Sequence, residues 1–418
     1  MTQPHARQSA AETVSTTGPA AVSRKSEPLV TSAFLVLCIS QLAFFSSDRM
    51  LWVVLPLHLQ DLGLDYAAIG TVLGAFTVSS TMFRPLVGRA VDRWGERWFL
   101  LGGALVFIGG ALGYAITTTF PGLLLLRLFH GLGPALFVTA CYTKISRLAP
   151  PQRLGEALTY ITLANNVAMA VGPAGGVYLA RALGFSTLCL AAAGIAVCAL
   201  LAAAWPAPSP HTPTVPREAG PGLASVSLRA SLRRIALPVT VIFLALLSFG
   251  SVLSFFPLLA AAHGVDNPGV FFTVMAVTLI LTRVCGGRIA DVYGRARIVI
   301  PSLGLMAAGM FVLAAATSAL LFNLAAVLCA SGVSLLVPTL MAATIEQIGA
   351  ADRGWAVGIF TATMDLSMAV GTVGSGVLLH LTEAYPLVFG VSGGCVLLSL
   401  LVFILSTRNN KNGGTNEP

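Results

Sequence analysis

Two carboxylates stand where water is ordinarily excluded. Asp48 and Asp365 each lie about ten residues inside a long apolar run, roughly 15 Å deep if the run is helical. A carboxylate at that depth can take up a proton from one side and release it to the other when the cavity around it alternates. Both residues are therefore candidates for proton coupling or substrate contact, and a static ion pair inside a helix bundle is the competing reading. Arg127 is a further candidate in another apolar run, where an arginine costs at least roughly 2.5 kcal/mol and so needs a partner or water. Arg49 adjoins Asp48 but sits about 100° around the helix, so adjacency alone does not pair them. Asn165 joins the set as a polar residue read as the repeat counterpart of Asp365. No catalytic constellation and no metal-ligand cluster accompanies these residues, so neither enzymatic activity nor a cofactor is expected.

The elements that would position them are apolar segments of membrane-crossing length. The chain has 418 residues, of which 56% are hydrophobic and 10% charged, with a mean hydropathy of +0.86. Soluble domains carry roughly 25% charge. Twelve segments long enough for a hydrocarbon core of about 30 Å fall near 32–57, 67–87, 98–118, 121–143, 156–180, 185–206, 238–262, 268–290, 297–317, 320–345, 354–379 and 384–406. The fold class this predicts is an all-α membrane protein. The 42 glycines let such helices pack closely. All seven cysteines lie in apolar runs without metal or redox spacing and are expected to be buried packing residues.

Charge sets the orientation. With both termini cytoplasmic, nineteen of the 24 basic residues fall in cytoplasmic tails and loops, Arg181 alone falls outside, and Arg49, Arg84, Arg127 and Arg283 lie within helices. That bias is the positive-inside pattern. It also accounts for the net charge of +8 without nucleic acid, since no basic stripe with interleaved aromatics is present. Residues 1–30 carry no cleavage site and read as a disordered cytoplasmic tail. A bundle over 31–206, a proline-rich cytoplasmic linker over 207–237, a second bundle over 238–406 and a tail over 407–418 complete the expected domain plan.

The two halves repeat. Arg84, Gly88, Asp92 and Gly95 recur as Arg283, Gly287, Asp291 and Gly294, each displaced by 199 residues, and Gly172 recurs as Gly371. Pro56 and Gly63 likewise find counterparts in Pro257 and Gly264. Duplication of a six-helix half is a transporter architecture with the solute path between the halves.

Gly88-Arg89-Ala90-Val91-Asp92-Arg93-Trp94-Gly95-Glu96-Arg97 closes the second segment and turns into the third. This run resembles the loop motif of the major facilitator superfamily, departing from it only at Glu96, and the resemblance extends over about residues 30–406. It implies two pseudo-symmetric six-helix bundles and a gating network. In that network Asp92, Arg93 and Arg97, with Gly88, Gly95 and the second copy at Gly287, Asp291 and Gly294, would lock the outward-open state, a snorkelling basic loop that only sets topology being the competing reading. Arg84 and Arg283 read as interfacial anchors or partners of this network rather than substrate ligands. Arg127-Leu128-Phe129-His130-Gly131-Leu132-Gly133 resembles a family motif linked to proton transfer, with a structural ion pair as the competing reading of Arg127, and His130 reads as a hydrogen-bonded packing histidine. Gly172-Pro173-Ala174-Gly175-Gly176 is similar to the antiporter motif of exporters, with Ala168 and Val177 where that motif has glycines. In it Gly172, Pro173 and Gly176 would bend the helix and admit its neighbour. Weaker likenesses around Asp48, Arg84, Asn267 and Asp365 point to a bacterial exporter branch that includes opine-type metallophore exporters.

No nucleotide-binding loop is present, so ATP-driven transport is disfavoured. The expected function is alternating-access, proton-coupled export of a drug, metabolite or metallophore across a bacterial inner membrane. An importer or facilitator of a small organic solute is the alternative. The expected partners are a small-molecule substrate, protons and the lipid bilayer, with no nucleic acid and a monomeric chain.

Overall fold

The computed structural model describes residues 29–150, 153–205, 228–293, 295–348 and 353–413. Residues 1–28, 151–152, 206–227, 349–352 and 414–418 and Gly294 lie outside the described residues, and Gly287 and Asp291 are described only as helical backbone. Twelve helices form, and no strand occurs among the described residues. They are α1 (Ser32–Asp61), α2 (Tyr66–Trp94), α3 (Glu96–Tyr114), α4 (Phe120–Leu148), α5 (Leu154–Leu183) and α6 (Phe185–Ala204), then α7 (Leu228–Ala262), α8 (Gly269–Tyr293), α9 (Arg295–Ala315), α10 (Ala319–Glu346), α11 (Arg353–Thr382) and α12 (Tyr385–Gly413). Ten are long and apolar enough to cross a membrane, and α8 adds a shorter apolar stretch, Gly269–Val284. The 30 residues of α5 give it about 45 Å of length.

Local chemistry fixes the ends. Thr31 and Asp65 cap α1 and α2 by accepting from the amides of Phe34 and Ala68, at 3.2 and 2.7 Å. Gly95 alone separates α2 from α3, and its φ of +81° is one that side chains resist. Helix α7 starts at Leu228, so the basic run ahead of the second apolar half is already helical.

Packing repeats as the sequence does. In the first half α1 packs on α5 and α6, α2 on α4, and α3 on α4 and α6. In the second, α7 packs on α11 and α12, α8 on α10, and α9 on α10 and α12. Small side chains set these distances. Gly172 and Gly176 lie against the Arg49–Met50 backbone of α1, and Gly371 lies against Leu247 of α7. Hydroxyls tie helices together: Ser40 and Ser47 donate to the carbonyls of Ala199 and Ala192, both at 2.8 Å, and Ser399 donates to Val241 at 2.7 Å. Such bonds contribute about 0.6 kcal/mol on average in membranes, so the fit of small residues carries most of the association.

Cysteines are less uniformly buried than their apolar surroundings imply. Cys141, Cys189 and Cys329 are buried and Cys38 and Cys395 partly so, but Cys198 is exposed on α6. A uniformly apolar helix gives no periodic signal of which face packs inward.

The halves meet along α2 with α11, α5 with α8, and α1 with α7. The close approaches gather at the end opposite the α2–α3 loop. There Gly70 meets Gly376, the Tyr66 and Tyr385 hydroxyls lie 3.3 Å apart, Asn267 donates to the Ala174 carbonyl at 3.1 Å, and Arg181 donates to Asp266 at 3.2 Å. Gly269 abuts the backbone of Pro173 and Ala174, so the glycine-proline segment of α5 serves both a neighbour in its own half and one across the seam.

Candidate functional site

Asp48, Arg49 and Arg127 of the first half form one buried group. Arg49 donates to Asp48 Oδ2 at 2.7 Å and to Asn165 Oδ1 at 3.3 Å, so the pair that adjacency left open does form. The arginine side chain is long enough to fold back along α1. Its guanidinium carbon lies 3.9 Å from the Trp52 ring centroid and 5.2 Å from that of Phe45, an arrangement in which the aromatic faces share the cost of desolvating the charge. Arg49 Nε has no hydrogen-bond partner among the described residues.

Arg127 lies across from this pair, within electrostatic range of Asp48. It is 2% exposed, donates to the Tyr114 hydroxyl at 3.3 Å, and faces the Phe76 ring at 4.4 Å. The same hydroxyl is 3.0 Å from His130 Nδ1, and the His130 ring packs against Phe107. Gly110 on α3 makes room for that ring. Arg127 also lines a cavity of about 30 Å³ between the halves, with Trp52 and Phe76 on one side and Ser254, Met368 and Thr372 on the other. That is room enough for water.

Tyr114 gave no sequence signal, because a tyrosine near the end of an apolar segment resembles an interfacial anchor. Its role predicts a measurable cost. Tyr114→Phe removes the partner of two buried groups at once, and the protein should lose about 1–3 kcal/mol. Fluorescence-detected size exclusion after heating reads that loss as a lowered melting point, and an unchanged melting point would refute the role.

Asp365 lies on the other half but is not alone there. Arg84 reaches across the α2–α11 seam to form an ion pair with Asp365 Oδ2, and its second nitrogen is 3.5 Å from Ser80 Oγ. The sequence groups Arg84 with the loop network, whereas its side chain is engaged here. The pair is partly open, with 38% of the arginine and 22% of the aspartate side chain exposed.

One register assignment needs correction. Helices α5 and α11 begin and end 199 residues apart, so Asp365 corresponds to Asn166 and not to Asn165. Adjacent residues on a helix project about 100° apart. Asn165 serves Arg49 of its own half, whereas Asn166 lines the α5–α8 seam beside Arg283.

In the loop, Arg147 of α4 donates to Glu96 Oε2 at 2.7 Å and to Asp92 Oδ1 at 3.4 Å, while Arg97 donates to the Ala204 carbonyl at 3.3 Å. Arg93 lies near the exposed Trp94 ring. Glu96, the departure from the motif, thus holds the same arginine as Asp92. These contacts all stay within the first half.

Mirrored six-helix bundles that meet around intramembrane charges define a multi-pass membrane transporter. The family model for the Major Facilitator Superfamily matches residues 37–282 and 241–418, and the chain belongs to that superfamily. It is similar to the staphylopine export protein of Staphylococcus aureus, at 25% identity over 351 residues covering 81% of this chain and 87% of that protein. It is 32% identical to a chloramphenicol resistance protein of Streptomyces lividans over 168 residues, 40% of this chain and 42% of the other. Among solved structures, a crystal structure of a point mutant of the nucleoside transporter NupG matches with a TM-score of 0.74 at 14% identity, covering 89% of this chain and 99% of that one.

Proposed function

We propose that the protein is a proton-coupled secondary transporter that exports a small molecule from the cytoplasm of a bacterium by alternating access. The observation that carries this reading is the Arg84–Asp365 pair, a contact between the halves whose ionic attraction requires a charged Asp365. Protonation of Asp365 discharges the pair and frees α2 from α11 at that level. Proton binding and the relative position of the halves are thereby tied to one side chain. Asp48, paired with Arg49 and within range of Arg127, is a second proton or solute site.

The basic-residue bias supports placing the termini and the α2–α3 loop in the cytoplasm of a cell bounded by the bacterial inner membrane. The close approaches named above then lie at the outer end, which supports an inward-open conformation. Among the described residues Asp92 pairs with Arg147 of its own half and Arg93 lies against Trp94. Asp92 and Arg93 engage the second half when the loop end closes. Residues 31–206 and 238–406 move as the two bodies, joined by 207–237. Export is supported by the glycine-proline segment of α5 and by two relatives named for staphylopine export and for chloramphenicol resistance. The cargo is a drug, a metabolite or a metallophore, carried by a monomer.

Growth of a deletion strain across antibiotics and metal starvation identifies the solute. Everted vesicles then test the mechanism: an imposed proton gradient should drive uptake of that solute, and a gradient that moves none would rule the reading out. Closure at the outer end has its own test. In a chain otherwise free of cysteine, Arg181→Cys with Asp266→Cys, an exposed pair that crosses the seam, should be bridged by a bis-methanethiosulfonate reagent and lose transport, with recovery on reduction. Transport that continues through the cross-link would contradict alternating access at this seam.

A further inference from the structure

Arg84 on α2 and Arg283 on α8 are equivalent by the 199-residue repeat, and each helix packs against the equivalent helix of the other half, α11 for the first and α5 for the second. The two seams differ in one respect. Arg84 is held by the carboxylate of Asp365, whereas the residue equivalent to Asp365 at the second seam is Asn166. Among the described residues no carboxylate pairs with Arg283. A cavity of about 420 Å³ occupies that place, lined by Arg283, Asn166, Thr162, Leu158, Leu163 and Ile280.

We propose that this cavity binds an anionic amphiphile, whose carboxylate or phosphate takes on Arg283 the place that Asp365 takes on Arg84. Arg283 is ten residues ahead of Tyr293, about 15 Å in from the loop end of α8, where a guanidinium calls for a counter-charge or water. Its planar fork suits two oxygens of one anion. The Asn166 amide adds a donor where a carboxylate would repel the ligand and occupy the arginine itself. Leucine and isoleucine walls accept an apolar body, and the volume falls in the range of small-molecule pockets, about 300–1,000 Å³. Naming the anion as cargo rests on the transport reading above; the site does not, and it narrows that cargo to acidic solutes.

The test uses the full-length protein in nanodiscs of phosphatidylcholine, with tritiated 1-naphthylacetate and its neutral isostere 1-naphthylacetamide as probes. The acid should bind at least about tenfold more tightly than the amide. Arg283→Gln should erase that preference, and Asn166→Asp should erase it with the arginine intact, by supplying an internal carboxylate. Melting curves of both variants check folding, and Arg283→Lys keeps part of the preference should Arg283→Gln fail to fold. Repeating the titration with phosphatidylglycerol in the disc separates the sources. Competition assigns the anion to a lipid headgroup, unchanged affinity assigns it to a solute, and either upholds the site. Equal affinity for acid and amide, or a preference that survives both Arg283→Gln and Asn166→Asp, would overturn it. Binding is read at equilibrium, so this failure is distinct from a failure of proton-coupled transport.

Discussion

Asp365→Asn is expected to lower gradient-driven transport by about 100-fold, toward the upper end of ordinary coupling free energies between two bound species. Exchange of labelled for unlabelled solute, which needs no net proton movement, should persist. The reasoning follows from the seam: asparagine keeps the size of the side chain but can neither titrate nor hold the Arg84 charge. Stability should respond as well. With both partners only partly exposed, removing one strands the other, and either single change should cost about 2 kcal/mol, below the 3–5 kcal/mol of a fully buried pair. Arg84→Gln combined with Asp365→Asn should be less destabilised than the sum of the two single changes, a coupling that a double-mutant cycle measures. Additive single changes would mean that the pair is not an energetic unit.

The second large effect concerns the glycines of α5. A side chain at Gly176 would overlap the Met50 carbonyl, which is backbone and cannot swing aside, while nothing lies within 4 Å of a Cβ placed on the neighbouring Gly175. Gly176→Leu should therefore cost about 3 kcal/mol by forcing α5 away from α1. Gly175→Leu, one residue away, should stay within about 0.5 kcal/mol. Thermal melts of the two variants should separate by many degrees. Equal melts would show that the α1–α5 contact yields without penalty, and the helix-five segment would lose its structural rationale.

Much of the fold was legible because a membrane leaves few ways to satisfy a backbone, so apolar runs of sufficient length become helices. The 199-residue spacing of Arg84 and Arg283 carried the pseudo-symmetry, which recurs in the bounds of α5 and α11. Pairing was less legible. Arg84 lies near the loop motif in the chain, and nothing local shows that its long side chain turns across the seam to Asp365 rather than toward the loop. Arg147, which holds both Asp92 and Glu96, is 55 and 51 residues farther along the chain than they are. Asn165 and Asn166 are adjacent and identical in type, so only the register of the helices separates their roles. Tyr114 joins Arg127 to His130 through a geometry that no spacing encodes.

The central claim is that proton and solute move in opposite directions through one protein. Purified protein in proteoliposomes, with a pH-sensitive dye trapped in the lumen and no initial gradient, measures this directly. Addition of the solute outside should make the lumen more alkaline as solute enters and protons leave, and the response should vanish in Asp365→Asn. Entry of labelled solute without a pH change, or with acidification of the lumen, would contradict the account.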